Sequence, residues 1–521
     1  MAHVGRGETK RTDEDMSEGL RIQGNLLAKN TALNFIGQII PLVIAVVTIP
    51  YILHGLGVER FGILSLAWVV LGYFSLFDLG LGRAATRFVA EALGKGEPER
   101  IPAIVWTCLA LQTMLGVIGG TALAIATPVL VGKILNISEN LWEETKISFY
   151  LLSIAVPIVL CSGSLKGVLE ARQRFDLVNA VRMSSSSLAF MLPAVAIFMG
   201  FQLPGVVLFL IISMVGAGVT YLLICFKVFP SLTELFCTSP AVVKHLFTYG
   251  GWVTLCNVII PLLIYSDRFL IGALVSVSVL GYYTVPFEMA SRLQIFPWSF
   301  GTTLFPAFST VAAFQKEDLG RLYARSLKYL LLMMGPIVLA VILFSGDILQ
   351  LWLGKDFSVK GTLVLQILVV GMLLNALSQI PANLLDGVGR PDLRAKIFVS
   401  YVGVYIGLAW FLITKMGIVG AALAWALRGA LELGLFFGVV LRLFRFDGVI
   451  FVENGLVRGL ITFGCFAAIV PAIVTASGES LWIQNTTTVI CFMVFGSFSW
   501  WYVLDQEDRR GLKAVFLQWA Q

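Results

Sequence analysis

The chain has 521 residues, of which 58 % are hydrophobic and 13 % charged, and its formal net charge is +6. A soluble domain carries about 25 % charged residues, so this composition excludes a soluble enzyme and places the chain in a lipid bilayer. The seven cysteines are scattered, with no C-x-x-C or other metal-ligand spacing, which argues against a disulfide framework or a zinc site.

Residues 1–29 are polar and mixed in charge and lack the apolar core of a signal peptide, so they read as a cytoplasmic tail. A bilayer core about 30 Å thick is crossed by roughly 20 helical residues. Apolar runs long enough for this recur fourteen times, over 31–53, 61–82, 102–130, 147–168, 178–200, 204–227, 249–272, 281–310, 325–346, 361–385, 396–414, 418–441, 455–477 and 482–504. Lys and Arg test that count. With the N-terminus inside, 28 of the 37 fall in the tails and even-numbered loops and 6 in the outside loops, while Arg268, Arg292 and Arg428 lie within spans. One missed span would invert every loop after it, so the alternation supports both span number and orientation, with both termini cytoplasmic. The positive charge is a topology signal and calls for no nucleic-acid partner; inside loops also meet anionic membrane lipids.

A repeat runs through these spans. Ile39-Ile40-Pro41-Leu42 recurs as Ile259-Ile260-Pro261-Leu262 at an offset of 220, and Phe88 meets Phe308 at the same offset. Six spans separate the copies, so both run the same way, as in parallel-repeat transporters. The expected architecture is an all-α polytopic membrane protein with two six-helix bundles around a central cavity and two extra C-terminal helices. The lobes are expected over 30–230 and 249–443, joined by a cytoplasmic linker at 231–248. Spans 13 and 14 follow in 444–505, and 506–521 is a cytoplasmic tail.

Polar side chains in hydrocarbon are expensive and should face protein or water. Asn34 and Gln38 share one face of span 1; Asn257, Tyr265 and Arg268 share one face of its repeat partner, span 7. Glu288 and Arg292 line one side of span 8, and Asn375 and Gln379 one side of span 10. Asp78, Arg83 and Arg87 collect at the cytoplasmic end of span 2. The competing reading is packing glue between helices, with Glu288–Arg292 and Arg428–Glu432 neutralising themselves as i,i+4 pairs. Arginine stays charged and grips phosphate in a bidentate fork, so cations at several depths suit an anion better than a lipophilic cation.

The motifs Pro50-Tyr-Ile-Leu-His-Gly-Leu-Gly57, Phe77-Asp-Leu-Gly-Leu-Gly-Arg83, Ser266-Asp-Arg268, Val279-Leu-Gly-Tyr-Tyr283, Leu304-Phe-Pro306 and Asp386-Gly-Val-Gly-Arg390 stand in order along the chain. In them it resembles the Wzx-type (O-antigen) polysaccharide flippases of the multidrug/oligosaccharidyl-lipid/polysaccharide (MOP) exporter superfamily. The resemblance implies a bilobed helical fold in a bacterial inner membrane. It also implies a substrate of oligosaccharide linked through pyrophosphate to a polyprenyl lipid, moved to the outer leaflet for cell-surface polysaccharide synthesis. The family's cationic cavity residues map onto Arg83, Arg268 and Arg292. By the same analogy a polysaccharide polymerase and a chain-length regulator are expected partners.

On this reading the pyrophosphate meets Arg83 and Arg87, then Arg292, and the sugar meets Asn34, Gln38, Asn257 and Tyr265. The chain has no GxxxxGK[ST] nucleotide motif and no expected cofactor, so ion gradients, membrane potential or product consumption would supply the energy. Glu288, Asp78 and Asp267 are the candidates for coupling to H⁺ or Na⁺, with Asp267 ranked below Glu288 because it leaves its helix's polar face. Three alternatives remain open: a lipid II-type flippase, a multidrug or ion antiporter of the same superfamily, and a membrane glycan polymerase or ligase. The expected outside loops near 131–146 and 347–360 hold no His or DxD cluster, which weighs against the enzyme.

Overall fold

The computed structural model describes residues 40–74, 81–172, 174–234, 259, 261–312, 316–476 and 481–510. The chain divides into two compact units, Met1–Pro261 and Leu262–Gln521. The described residues are helices, turns and short links, so the all-α expectation holds.

In the first unit, α1 (Ile40–Phe74) is followed by α2 (Leu81–Gly94), α3 (Ile101–Val129), α4 (Trp142–Ala171), α5 (Phe175–Phe198), α6 (Leu203–Val228) and the short α7 (Ser231–Glu234). The stretch 83–100, expected as a cytoplasmic loop, is instead largely the helix α2. Leu81, Ala85, Val89 and Ala92 recur at helical spacing and bury against Val105 and Cys108 of α3, Val168 and Leu169 of α4, and Cys225 of α6. Charge density marked this segment as loop, yet its apolar stripe gives the helix a face to bury.

From its first turn at the unit boundary, α8 (261–274) leads into the second unit, which goes on with α9 (Val277–Ser291), a 3₁₀ turn at Arg292–Gln294, α10 (Ile295–Ala312), α11 (Lys316–Leu353) and α12 (Lys355–Gly387). Then come α13 (Pro391–Phe444), α14 (Gly448–Glu453), α15 (Leu456–Ala476) and α16 (Leu481–Phe498). Ser276 caps α9, its hydroxyl accepting from the Ser278 N–H at 3.1 Å. Central to this unit is α12, which packs on α9, α10, α11 and α13. In its most apolar window 61 % of residues are buried, against 44 % or less in the other spans.

Ten helices among the described residues are long and apolar enough to cross a membrane. Two of them are broken by an internal glycine. Within Ile40–Phe74, Gly57 has φ +76°, and within α13, Gly417 has φ 58° and ψ −133°. A right-handed helix cannot continue through such a residue, and glycine adopts it without a Cβ clash. The breaks fall where the sequence placed the ends of spans 1 and 11. Counting both helices as pairs, and adding α8 and the α9–α10 pair, is compatible with fourteen crossings. The two stretches expected to lie outside are shorter than expected: 347–360 shrinks to a corner at Gly354, and 131–146 is taken up mostly by helical turns and the start of α4.

Candidate functional site

The charges expected inside the membrane gather in the second unit, where α8 and α9 run side by side. Asp267 and Arg268 are neighbours in sequence, so their side chains leave α8 about 100° apart. They do not pair squarely: Nη1 of Arg268 is 3.9 Å from the Asp267 carboxylate. Asp267, fully buried, instead accepts the Arg268 backbone N–H at 2.7 Å on one oxygen and the Tyr283 hydroxyl of α9 on the other. Both oxygens are therefore satisfied, as burial of a carboxylate requires.

Arg268 is 2 % exposed. It donates to the Ile264 carbonyl at 3.2 Å and lies 4.2 Å from the centroid of the Phe287 ring, with the Tyr265 ring at 5.5 Å. Its Nη2 is 3.5 Å from Glu288, and its Nε has no hydrogen-bond partner among the described residues. The other oxygen of Glu288 is 3.6 Å from Arg292. One carboxylate thus serves two guanidiniums, a buried one on α8 and, at 41 % side-chain exposure, Arg292. Arg292 does not sit in a regular span. It opens the 3₁₀ turn that separates α9 from α10, a local departure often found at hinges.

From the same turn Gln294 reaches α12: Gln379 donates to its side-chain oxygen at 2.7 Å, and Gln294 donates to the Met372 carbonyl at 3.3 Å. One turn earlier on α12, Asn375 donates to Glu432 of α13 at 3.1 Å. Arg428 of α13 donates to the Leu263 carbonyl of α8 at 2.8 Å and lies 4.6 Å from the Trp425 ring. The polar stripes read separately from spans 7, 8 and 10 are therefore linked through hydrogen bonds and ion pairs across α8, α9, α12 and α13.

Of the expected site residues, Tyr265, Asp267, Arg268, Glu288, Arg292, Asn375 and Gln379 fall in these linked groups. Arg83 and Arg87 lie on α2, their side chains outside the description. Asn34, Gln38, Asp78 and Asn257 lie outside the described residues. The sequence reading gave no site role to Tyr283, Phe287 or Gln294. Gln294 follows Arg292 by two residues and so lies off the polar face read for span 8, yet its side chain bonds α12.

These packed membrane helices have the fold of the MOP exporters. Over 90 % of this chain and 98 % of the other, the structure titled “Lipid II flippase MurJ, inward closed conformation” superposes with TM-score 0.71 at 12 % identity. An inward-facing multidrug resistance MATE family transporter of the MOP superfamily matches 79 % of this chain and 98 % of its own, with TM-score 0.66 at 15 % identity. Residues 27–312 match the family described as “Polysaccharide biosynthesis protein”, and the chain belongs to it, as a Wzx-type member of the superfamily. Among its relatives is the Shigella flexneri protein named “Putative O-antigen transporter”, 28 % identical over 418 residues, 78 % of this chain and 96 % of that protein. Another, “Probable flippase AglR” of Haloferax volcanii, is 24 % identical over 76 % of this chain and 80 % of its own.

Proposed function

We propose that this multi-pass membrane protein is a flippase. It carries an oligosaccharide linked by pyrophosphate to a polyprenyl lipid from the cytoplasmic to the outer leaflet of a bacterial inner membrane, by alternating access, for cell-surface polysaccharide. The relatives' names support the flippase class. The observation that carries the phosphate is the shared carboxylate, Glu288, between buried Arg268 and accessible Arg292. A phosphate arriving at Arg292 competes with Glu288 for the guanidinium. The displaced carboxylate keeps its second partner, Arg268, so neither charge is stranded in low dielectric. Arg83 and Arg87 are proposed as earlier phosphate contacts at the cytoplasmic end. Asn34, Gln38, Asn257, Tyr265, Asn375 and Gln379 are proposed as hydrogen-bond partners of the sugar.

The lobes proposed for this cycle are residues 30–230 and 249–443, with the termini cytoplasmic. Moving one unbalanced negative charge outward gains about 2.3 kcal/mol per 100 mV, inside negative. Glu288 is the first candidate for coupling to H⁺ or Na⁺, followed by Asp78 and Asp267. A polymerase and a chain-length regulator are proposed to take the product onward. The test is a flip assay: purified protein in liposomes with a labelled polyprenyl-pyrophosphate oligosaccharide, following outer-leaflet exposure. Protein-dependent exposure that collapses in Arg292→Ala, with folding intact, is the expected result. Exposure of lipid II alone would move the protein to the lipid II-type reading, and exposure indifferent to Arg292 would remove the proposed phosphate site.

A further inference from the structure

A second cationic feature lies in the first unit. Where α4 ends, α5 begins and α6 ends, a cavity of about 500 Å³ opens, lined by Arg172, Arg174, Leu177, Ile224, Lys227 and Val228. Among the described residues its lining holds three cations, three aliphatic side chains and no carboxylate. Arg174 is partly spoken for: its Nε and Nη2 bond Asp176 at 3.0 and 2.9 Å. Arg172 and Lys227 are not, since neither has a hydrogen bond or ion pair to a carboxylate among the described residues. The Arg172 guanidinium lies 5.5 Å from the centroid of the buried Phe229 ring, which positions its plane while leaving its N–H groups unclaimed.

The surface running away from the cavity is apolar. Leu208, Ile212, Val219 and Leu223 of α6 are all exposed. At 100° per residue they fall within about 60°, and Lys227 stands one turn beyond Leu223 on nearly the same line. An exposed aliphatic stripe ending in unpaired cations matches a phospholipid at both ends: acyl chains along the stripe, head group at the cations. The volume is within the roughly 300–1,000 Å³ typical of small-molecule sites. The cations belong to the Lys/Arg-rich side of the membrane, where basic pockets between helices take anionic head groups.

We propose that this cavity binds the phosphate head group of an anionic phospholipid, with Arg172 and Lys227 as its charged contacts, Arg174 at its rim, and Leu223 and Val219 under an acyl chain. The site is independent of the transported substrate.

The test compares the whole protein in vesicles of phosphatidylcholine with and without phosphatidylglycerol, reading binding of a fluorescent phosphatidylglycerol and the thermal midpoint. Each cation near an anionic head group changes affinity roughly five-fold. Arg172→Gln/Lys227→Gln should therefore weaken phosphatidylglycerol binding at least about five-fold and lose the lipid-dependent rise in midpoint. Its midpoint in phosphatidylcholine alone should match the parent protein, since both side chains are exposed. Arg442→Gln, an exposed cation of the other unit, serves as control. A double variant that keeps its preference for phosphatidylglycerol overturns the proposal, as does an equal loss in the control. Protection by inorganic phosphate equal to that by phosphatidylglycerol would assign the cavity to a free anion and overturn the lipid.

Discussion

Glu288 stands 3.5 Å from Arg268, a guanidinium withdrawn from solvent, while its own side chain stays 42 % exposed. The pair thus bridges the packed interior of the second unit and its accessible surface, and Arg292 extends the bridge outward at 3.6 Å. The two arginines should respond differently to the same substitution.

Arg292→Ala removes an accessible cation whose carboxylate keeps Arg268 as partner. Its expected effect is on transport: loss of a charged hydrogen bond of about 1.5–3 kcal/mol lowers flipping roughly ten-fold or more. The thermal midpoint should barely move. Arg292→Lys, which keeps charge without the fork, should recover part of the rate. The flip assay and a melting curve on the same preparations check both.

Arg268→Met instead leaves the buried, hydrogen-bonded Asp267 carboxylate with no cation within 4 Å among the described residues. Breaking a buried pair from one side costs about 3–5 kcal/mol, so this variant should lose stability before transport is considered. Adding Asp267→Asn should restore much of the midpoint. Equal midpoints for Arg268→Met and Arg292→Ala would sink the distinction between a buried structural cation and an accessible binding one.

A second buried pair ties the end of the chain to α11. Lys328 meets Asp508 at 2.5 Å with both side chains fully buried, and Tyr329 donates to the same carboxylate. Burial pushes the Asp508 carboxyl up, but its bonds to Lys328, Tyr329 and the Asp505 N–H outweigh this and hold it below its ordinary value of 3.8. A depressed folded-state value means stability that is present above the ordinary carboxylate range and lost as pH falls through the depressed value. Asp508→Asn should destabilise by about 3–5 kcal/mol near neutral pH. The gap between it and the parent should close in strong acid. Midpoints measured in detergent across pH 7 to about 2 test this, and a constant gap would count against it.

Close approach of backbones sets the position of α2, which carries Arg83 and Arg87. A Cβ on Gly167 of α4 would fall 2.4 Å from the Gly82 carbonyl oxygen and 2.8 Å from the Thr86 hydroxyl. Gly167→Ala must push α2 away, at a cost of about 1–3 kcal/mol for overpacking. Stability should fall accordingly, and flipping should fall further if Arg83 and Arg87 are phosphate contacts. Unchanged transport with a lowered midpoint would separate α2 placement from function.

Much of this protein was legible without coordinates. Spans follow from uninterrupted apolar length, because the bilayer imposes that length one residue at a time. The polar faces of spans 7, 8 and 10 were legible for the same reason: 100° per residue fixes which side chains share a side before any neighbour is known. Errors came where a local signal has two outcomes. Residues 83–100 carry charges that suit either a loop or a surface helix, and the burial of Ala85 and Val89 against α3 and α4 decides for the helix.

The sequence by itself determined a membrane chain of many crossings and the chemistry available inside them, and it ended spans at 53 and 414, close to where Gly57 and Gly417 break their helices. Only tertiary structure decided which partners those charges take. Asp267 and Arg268 are adjacent in sequence yet do not pair squarely, because successive helical side chains diverge. Glu288 joins Arg268 and Arg292 because α9 lies against α8. Gln294 meets Gln379 because the turn at Arg292–Gln294 packs against α12. Each depends on where a second helix stands, and helix packing in a membrane is set by small close-packed contacts spread over the chain rather than by any local pattern.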